Sequence, residues 1–124
     1  MRLLNLLKSK IHGVTVTEAN VDYVGSIGID ADLVERAGLC AGELVHVWDV
    51  DNGQRFETYV IIAPRGSGQI SVNGAAARRV EVGHKAIIAA FVLTDEPEEP
   101  RIVLVDAANR FDRMLSARSE DPAP

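Results

Sequence analysis

The side chains best suited to chemistry in this sequence lie in two short segments, one around Ser26 and one from Arg55 to Tyr59. A serine hydroxyl becomes a nucleophile when it is activated or held in position. The guanidinium fork of Arg55 matches a carboxylate, and a tyrosine such as Tyr59 can donate a proton. Each residue also has a structural interpretation: a turn serine, a surface charge after a hairpin and a half-buried strand aromatic. Pattern alone favours the structural interpretation for each.

Motifs that would identify a cofactor are absent from the sequence. No phosphate loop, dinucleotide fingerprint or paired-histidine metal motif occurs. His12, His46 and His84 are scattered, so each is expected to be structural or exposed, and no metal site is expected. The single Cys40 excludes an internal disulfide and a multi-cysteine zinc site, and it favours a reducing cytoplasmic compartment.

The elements that must position these side chains are mostly strands. Val and Ile are abundant, and stiff β-branched side chains favour extended backbone. The strand candidates are residues 14–18, 44–50, 56–62, 69–73, 86–93 and 101–106. Many short strands separated by turn residues are typical of a small barrel or sandwich. We therefore expect a mainly β protein.

Turn and helix signals divide these strands. Asn52-Gly53 predicts a type I′ turn, and therefore a hairpin between the second and third strand candidates. Asp30 is suited to cap a helix that Gly38 would end in the left-handed conformation. Residues 75–79 predict a second short helix.

Length and charge limit the function classes. A chain of 124 residues is one small domain. Its 13 basic and 18 acidic residues give a net charge of −5, a poor match for nucleic acid. The longest apolar run, Ala86–Leu93, is far shorter than the roughly 20 residues of a membrane span, and no secretory signal is expected. We expect neither nucleic acid nor a membrane as a partner.

Four blocks of the sequence, taken in order, closely resemble the aspartate 1-decarboxylase family. They are Lys8-Ser9-Lys10-Ile11-His12; Tyr23-Val24-Gly25-Ser26-Ile27-Gly28-Ile29-Asp30; Asn52-Gly53-Gln54-Arg55-Phe56-Glu57-Thr58-Tyr59; and Arg65-Gly66-Ser67-Gly68 with Ser71-Val72-Asn73-Gly74-Ala75-Ala76-Ala77. A lone Gly-Ser has no specificity, whereas the ordered set at compatible spacing is highly specific. The resemblance runs from about Leu4 to Asn109.

The resemblance implies a particular fold and a particular maturation. The fold would be a six-stranded double-psi β-barrel with short helices over residues 1–112, assembled as a homotetramer with active sites between subunits. The proenzyme would cut itself between Gly25 and Ser26 into residues 1–25 and 26–124. Whether that step is spontaneous or needs a maturation factor is open. Residues 113–124 are polar and are expected to form a disordered tail.

The implied chemistry explains the residue types. The Ser26 hydroxyl would attack the carbonyl of Gly25, where the absence of a Cβ lets the backbone bend. Elimination and hydrolysis would then convert Ser26 into a covalent pyruvoyl group. That cofactor would form a Schiff base with L-aspartate and accept the electrons left by CO2, giving β-alanine for pantothenate synthesis.

The resemblance also implies roles for individual residues. Ser26 and Tyr59 would be catalytic, Tyr59 as the proton donor, and Gly25, Ser26 and Thr58 would act in processing. The substrate-binding residues would be Arg55, Thr58, Asn73, Gly74, Ala75 and Ala76. Further pocket-lining positions would be Lys10, His12, Tyr23, Trp48 and Ile87.

Three points stay open at this stage. Arg55 and Tyr59 share one face of a regular strand and Thr58 takes the other, so a bend or a second subunit must reconcile them. Gly28 stands where a small residue such as threonine or alanine is expected. The alternative functions are a pyruvoyl decarboxylase of another amino acid and a non-catalytic barrel module.

Overall fold

The computed structural model describes residues 1–115, and this part of the chain is rich in strands. The described residues contain nine strands, one α-helix and one 3₁₀ helix. In chain order they are β1 (Leu4–Thr15), β2 (Glu18–Asn20), β3 (Ser26–Asp30), α1 (Ala31–Ala37), β4 (Leu44–Asp49), β5 (Arg55–Ala63), β6 (Ile70–Asn73), the 3₁₀ helix (Gly74–Arg79), β7 (Lys85–Thr94), β8 (Arg101–Val105) and β9 (Phe111–Leu115). The mainly β class is confirmed.

The strand count of six is wrong for the described residues, which contain nine strands. Most of β1 was missed because its polar residues and two register shifts hide the two-residue alternation. The strand β3 was missed because all five of its residues are buried, Gly28 among them, and a buried strand does not alternate. The strand β2 has only three residues.

The boundary of the tail also needs correction. Residues 113–115 belong to β9, where Arg113 pairs with Leu104 and Met114 with Val103. Cross-strand pairing with β8 therefore orders three residues that composition alone assigns to a disordered tail. Residues 116–124, the rest of that predicted tail, lie outside the described residues.

The strands form one mixed sheet in the order β2-β6-β3-β5-β4-β7-β1-β8-β9. The pairs β1–β8, β2–β6 and β3–β5 are parallel, and the remaining pairs are antiparallel. Parallel pairs join strands that are distant in sequence, so they need crossover connections. Two of them, β2–β6 and β3–β5, bring the start of the chain against its middle.

The core is almost entirely aliphatic. Fully buried side chains come from nearly every strand and from the helix, and the largest include Ile11, Ile27, Ile29, Leu33, Ile70 and Ile88. Phe56 and Phe111 pack against this cluster from its margin. Burying one such aliphatic side chain contributes roughly 1.5–3 kcal/mol, so the core is the main support of the sheet.

Helix α1 begins and ends as the sequence predicts. The Asp30 side chain accepts a hydrogen bond from the Asp32 N–H at 2.9 Å, and Gly38 ends the helix at φ 70°. Asp30 also accepts N–H groups from Gly66 and Gly68, at 3.0 and 2.9 Å. Burial alone would raise the pKa of Asp30, but these backbone donors and the charge of Arg110 lower it below its ordinary value.

The hairpin between β4 and β5 is confirmed, but its turn type is not. Gly53 has φ 75°, whereas Asn109 is the one non-glycine residue of the described chain with a positive φ. A type I′ turn needs positive φ at both central residues, so Asn52-Gly53 does not form one. Instead Gly53 donates to the Asp49 carbonyl, and Asp49 donates to Gln54, which closes a four-residue loop over residues 50–53.

Candidate active site

The Gly25-Ser26 junction lies at the start of β3 and is held by the 73–74 turn. Ser26 is fully buried, and its hydroxyl accepts a hydrogen bond from the Asn73 side-chain amide at 3.2 Å. The same hydroxyl donates to the Val24 carbonyl at 3.5 Å. Ser26 and Asn73 are also registered partners across β3 and β6. The Ser26 hydroxyl is therefore held by a polar side chain from the neighbouring strand.

Gly74 packs directly on this junction. A Cβ at Gly74 would lie 2.6 Å from the Gly25 Cα and 2.8 Å from the Gly25 nitrogen, and its φ of +70° also favours glycine. The Tyr23 carbonyl would be 3.1 Å away. The close approach explains why a glycine follows Asn73. Ala75 and Ala76 come next on the 3₁₀ helix, one exposed and one partly buried.

Thr58 and Tyr59 lie on β5, the parallel neighbour of the strand that begins at Ser26. The pairing of β3 with β5 begins at Ile27 with Val60, the residues that follow Ser26 and Tyr59. Thr58 and Tyr59 take opposite faces of β5, since Thr58 pairs with buried Val45 and Tyr59 with exposed Leu44. The opposite orientation expected from strand alternation is therefore present.

A second group of predicted residues forms a row across the outer face of the sheet. Registered neighbours share a face, and the row runs from Arg55 to Trp48, Ile87 and His12. The Arg55 guanidinium lies 4.3 Å from the centre of the Trp48 ring, within the range of a cation–π contact. The Trp48 ring supports one face of the Arg55 guanidinium, whose N–H donors form no hydrogen bond within residues 1–115.

Lys10 lies one row away on the same face. Its registered neighbour Ala89 pairs in turn with His46, and His46 pairs with Glu57. Burial and, second, the Lys10 charge lower the pKa of His12 below its ordinary value. At neutral pH His12 is therefore an uncharged neighbour of Lys10.

The two groups do not meet within one chain. Arg55 and Tyr59 are four residues apart on β5, which places their Cα atoms about 13 Å apart at the usual strand rise. Ser26 lies at the Tyr59 end. Within the described residues no hydrogen bond joins Ser26 or Asn73 to Arg55 or Trp48. The sheet brings together Arg55 with Trp48, and separately Ser26 with Asn73.

An open cavity on the outer face of the sheet contains residues that sequence reasoning did not single out. It has a volume of about 420 Å³ and is lined by Asn5, Glu43, Leu44, His46 and Phe91. Leu44 is 59 % exposed, Phe91 39 % and Tyr59 38 %, so this outer face is apolar and open. Because a single sequence does not show which strand face is covered by another molecule, no local pattern marks these residues.

Comparison with known proteins places the chain in a family. The family model described as aspartate decarboxylase matches residues 2–112. The chain belongs to this family. An aspartate 1-decarboxylase of Leptothrix cholodnii is 50 % identical over 121 residues, covering 94 % of this chain and 92 % of that protein. An aspartate 1-decarboxylase of Caldicellulosiruptor saccharolyticus is 53 % identical over 116 residues, covering 90 % and 91 %.

The comparison with solved structures is more limited. A rationally designed protein, mkDPBB_sym_86, superposes with a TM-score of 0.46 at 20 % identity, covering 65 % of this chain and 94 % of its own. Within residues 1–115 no helix is both long and apolar enough to cross a membrane.

Proposed function

We propose that this chain is a pyruvoyl-dependent decarboxylase that converts L-aspartate to β-alanine and CO2. The observation that carries the proposal is the buried Ser26 hydroxyl, held by the Asn73 amide at 3.2 Å beside Gly25, in a chain of the aspartate decarboxylase family. Burial alone calls for hydrogen-bond partners, and Asn73 and Val24 supply them, so the family membership is what turns this arrangement into a proposed nucleophile. Its placement suits a nucleophile aimed at its own backbone.

Maturation begins at this hydroxyl. The Ser26 oxygen attacks the Gly25 carbonyl carbon, and the peptide C–N bond gives way to an ester. Asn73 holds the attacking oxygen, and we assign to the Thr58 hydroxyl the donation of a hydrogen bond to the Gly25 carbonyl oxygen during this step. Elimination releases residues 1–25 with a new carboxylate. Water then replaces the nitrogen of residue 26, which leaves as ammonia.

The residues around Ser26 fit the covalent pyruvoyl group that this reaction makes. Gly74 leaves no side chain over the junction, and the small Ala75 and Ala76 follow it. The group would supply an electrophilic ketone that binds the aspartate amine and takes up the electron pair left by CO2. Asn73 and the backbone N–H groups of residues 74–76 then orient the substrate, and Tyr59 gives a proton to the reacting carbon.

The second carboxylate of aspartate binds to Arg55. Trp48 supports the guanidinium at 4.3 Å, while Lys10 adds positive charge to the same face. Ile87 and the neutral His12 complete this wall, and Tyr23 lies beside the junction. A surface that carries the two cations Arg55 and Lys10 beside the apolar Trp48 and Ile87 favours a small dicarboxylate over a neutral amino acid.

The working site is formed by two copies of the chain. The Cα atoms of Arg55 and Tyr59 are about 13 Å apart along β5, which supports a site where Arg55 serves the Ser26 of a second copy. The exposed Leu44, Tyr59 and Phe91 offer that copy an apolar surface. We propose a homotetramer in the cytoplasm, where the lone Cys40 would remain reduced.

Intact-protein mass spectrometry after prolonged warming tests the proposal. Wild type should give fragment 1–25 and a fragment 26–124 that reacts with a carbonyl reagent, while Ser26→Ala stays whole. The matured protein should release CO2 from aspartate. Cleavage with turnover of glutamate but not aspartate would favour a decarboxylase of another amino acid. A folded chain that stays uncut, even with candidate maturation factors added, would favour the non-catalytic module.

A further inference from the structure

His84 is surrounded by carboxylates on the side of the sheet where the β4–β5 loop begins. Its Nδ1 lies 2.7 Å from a carboxylate oxygen of Asp49, and its Nε2 lies 3.3 Å from one of Glu81. The Asp49 side chain is fully buried, whereas that of Glu81 is 82 % exposed. A third carboxylate, that of Asp51, lies within 4.8 Å of the Asp49 carboxylate and the His84 ring nitrogen.

Asp49 connects His84 to the shape of the loop. Its second carboxylate oxygen accepts the N–H groups of Asp51 and Asn52, at 2.8 and 3.2 Å. Its backbone closes the same loop through Gly53 and Gln54. The next residue is Arg55, the first of β5. The group that holds the Asp49 carboxylate therefore also holds the turn from which Arg55 extends.

Contacts from other segments keep the loop in one place. The Asn52 amide donates to the Arg79 carbonyl at 2.9 Å, and the Arg79 guanidinium donates to the Gln54 side chain at 2.7 Å. Asp51 accepts the Lys85 N–H at 2.7 Å. These contacts fix the outer part of the loop, while the base of the loop depends on Asp49 and its partner.

We propose that His84 is a positioning residue for Arg55. In its protonated form it bridges Asp49 and Glu81, and so holds the loop in the shape that places the Arg55 guanidinium on the Trp48 ring. The substrate-binding consequence rests on the proposed function of Arg55. The structural consequence, a coupling between His84 and the Arg55–Trp48 contact, stands without it.

The charge of His84 matters as well as its hydrogen bond. The titratable groups that face it are Asp49 from β4, Asp51 from the loop and Glu81 from its own turn. The hydrogen bond to Asp49 is the main cause that raises the pKa of His84, opposed by burial and reinforced by the three negative charges. Neutral His84 can still donate a hydrogen bond to Asp49. The carboxylates of Asp49, Asp51 and Glu81 then repel one another with no positive charge between them. The neighbouring Lys85 ammonium is bound elsewhere, to Thr15.

Trp48 gives a readout that does not require activity. It is the only tryptophan of the chain, so its fluorescence reports the Arg55 contact. Wild type should show an emission change with a midpoint above pH 6.5, as His84 loses its proton. His84→Gln, which keeps a donor but has no charge to lose, should sit at the high-pH emission of wild type throughout. His46 lies 6.5 Å from the Trp48 ring, so the titrations are repeated on a His46→Gln background.

Glu81→Gln provides a second variant that leaves the buried pair intact. Removal of this exposed carboxylate should move the emission midpoint to lower pH, because it removes one of the charges that stabilise protonated His84. An unchanged midpoint in Glu81→Gln, or a wild-type titration curve in His84→Gln, would overturn the proposal. The pH titration of Trp48 emission should also be the same before and after treatment with EDTA. A change in emission on adding Zn²⁺ alone would instead assign Asp49, Asp51 and His84 to a metal site.

Kinetics separates this inference from the proposed function. In His84→Gln the KM for aspartate should rise about fivefold, with kcat and self-cleavage within about twofold of wild type. The KM of wild type should rise toward the same value as the pH passes the emission midpoint. A fall in thermal stability with unchanged KM and unchanged emission would make His84 merely structural. If wild type matures but does not decarboxylate aspartate, the proposed function fails and the emission titration still decides the role of His84.

Discussion

Proton delivery is the task for which the site has one well-placed side chain. The proposed acid is the Tyr59 hydroxyl, on the residue before Val60, which pairs with Ile27, while Asn73 is engaged with the Ser26 oxygen. In Tyr59→Phe the ring remains and the acid is lost. We expect normal self-cleavage and a kcat lower by about 10²- to 10⁴-fold, measured as CO2 release from aspartate. Wild-type turnover by this variant would remove Tyr59 from the chemistry.

Arg55 should govern affinity rather than maturation. In Arg55→Lys the positive charge remains, but the bidentate fork and the flat contact with Trp48 are lost. We expect the KM for aspartate to rise at least about tenfold, with cleavage at residue 25 unchanged. Arg65→Lys is the matched control, since Arg65 pairs with Asp32 and Glu35 at a distant surface. A rise in KM accompanied by an equally large slowing of self-cleavage would indicate that Arg55 is structural.

The departure at Gly28 also has a local explanation. A Cβ at this position would lie 2.4 Å from the Ser71 hydroxyl oxygen, which accepts a hydrogen bond from the Gln69 side chain. A larger residue at 28 would require Ser71 to move. Gly28 and Ser71 therefore form a matched pair.

At the scale of elements, the sequence predicts the features that depend on neighbouring residues. It misses the strands that depend on pairing with distant parts of the chain. The cap of α1, the β4–β5 hairpin and the opposite orientation of Thr58 follow from short-range rules and are confirmed. The strand β3 and the strand part of residues 113–115 depend on partners elsewhere in the chain. The parallel pairing of β3 with β5 is of this second kind, because no periodicity reveals the register of a parallel pair.

Gly74 should be essential for the turn that packs on the cleavage junction. In Gly74→Ala the new Cβ would meet the Gly25 backbone at 2.6 Å, so the turn or the junction must move. We expect self-cleavage to slow strongly, measured by mass spectrometry over time. Gly42→Ala is the control, because Gly42 has φ +84° and no atom within 4 Å of the built Cβ. Equal slowing in both variants would attribute the effect to backbone strain in general.

Asp30 should make the fold sensitive to acid. Its pKa is lowered below its ordinary 3.8, so the stability it contributes is present above that pH and is lost as the pH falls through the lower value. Asp30→Asn should lose about 1–3 kcal/mol at pH 7 through its weakened backbone contacts. The difference in Tm between variant and wild type should shrink on acidification. A constant difference down to pH 2 would exclude this role.

For the whole molecule, composition and turn spacing suffice for the mainly β class, whereas the assembly of the site is decided by geometry. Ser26 with Asn73 and Arg55 with Trp48 lie at different places on one sheet. The four sequence blocks that carry the family resemblance supply both halves. The separation of these two groups on the sheet is seen only in the three-dimensional structure.

Mixed assembly tests the two-copy site. Ser26→Ala lacks the reactive group, and Arg55→Ala lacks the carboxylate contact, so each alone should be inactive. Co-expressed, they should recover up to about a quarter of wild-type activity by random pairing, because some sites combine Ser26 of one variant with Arg55 of the other. Native mass spectrometry checks that mixed oligomers form. Mixed oligomers without activity would show that both residues must belong to one chain.

The position of the proposed cleavage junction between β2 and β3 has a consequence for refolding. The strand β1 lies inside the sheet, between β7 and β8, and residues 1–25 carry it together with β2. In the uncut precursor, covalent connection keeps β1 with the strands that flank it. In a chain cut between residues 25 and 26, two separate peptides would have to meet by diffusion before β1 could re-enter the sheet. Refolding of the mature protein after denaturation should therefore fall off more steeply on dilution than refolding of the uncut Ser26→Ala precursor.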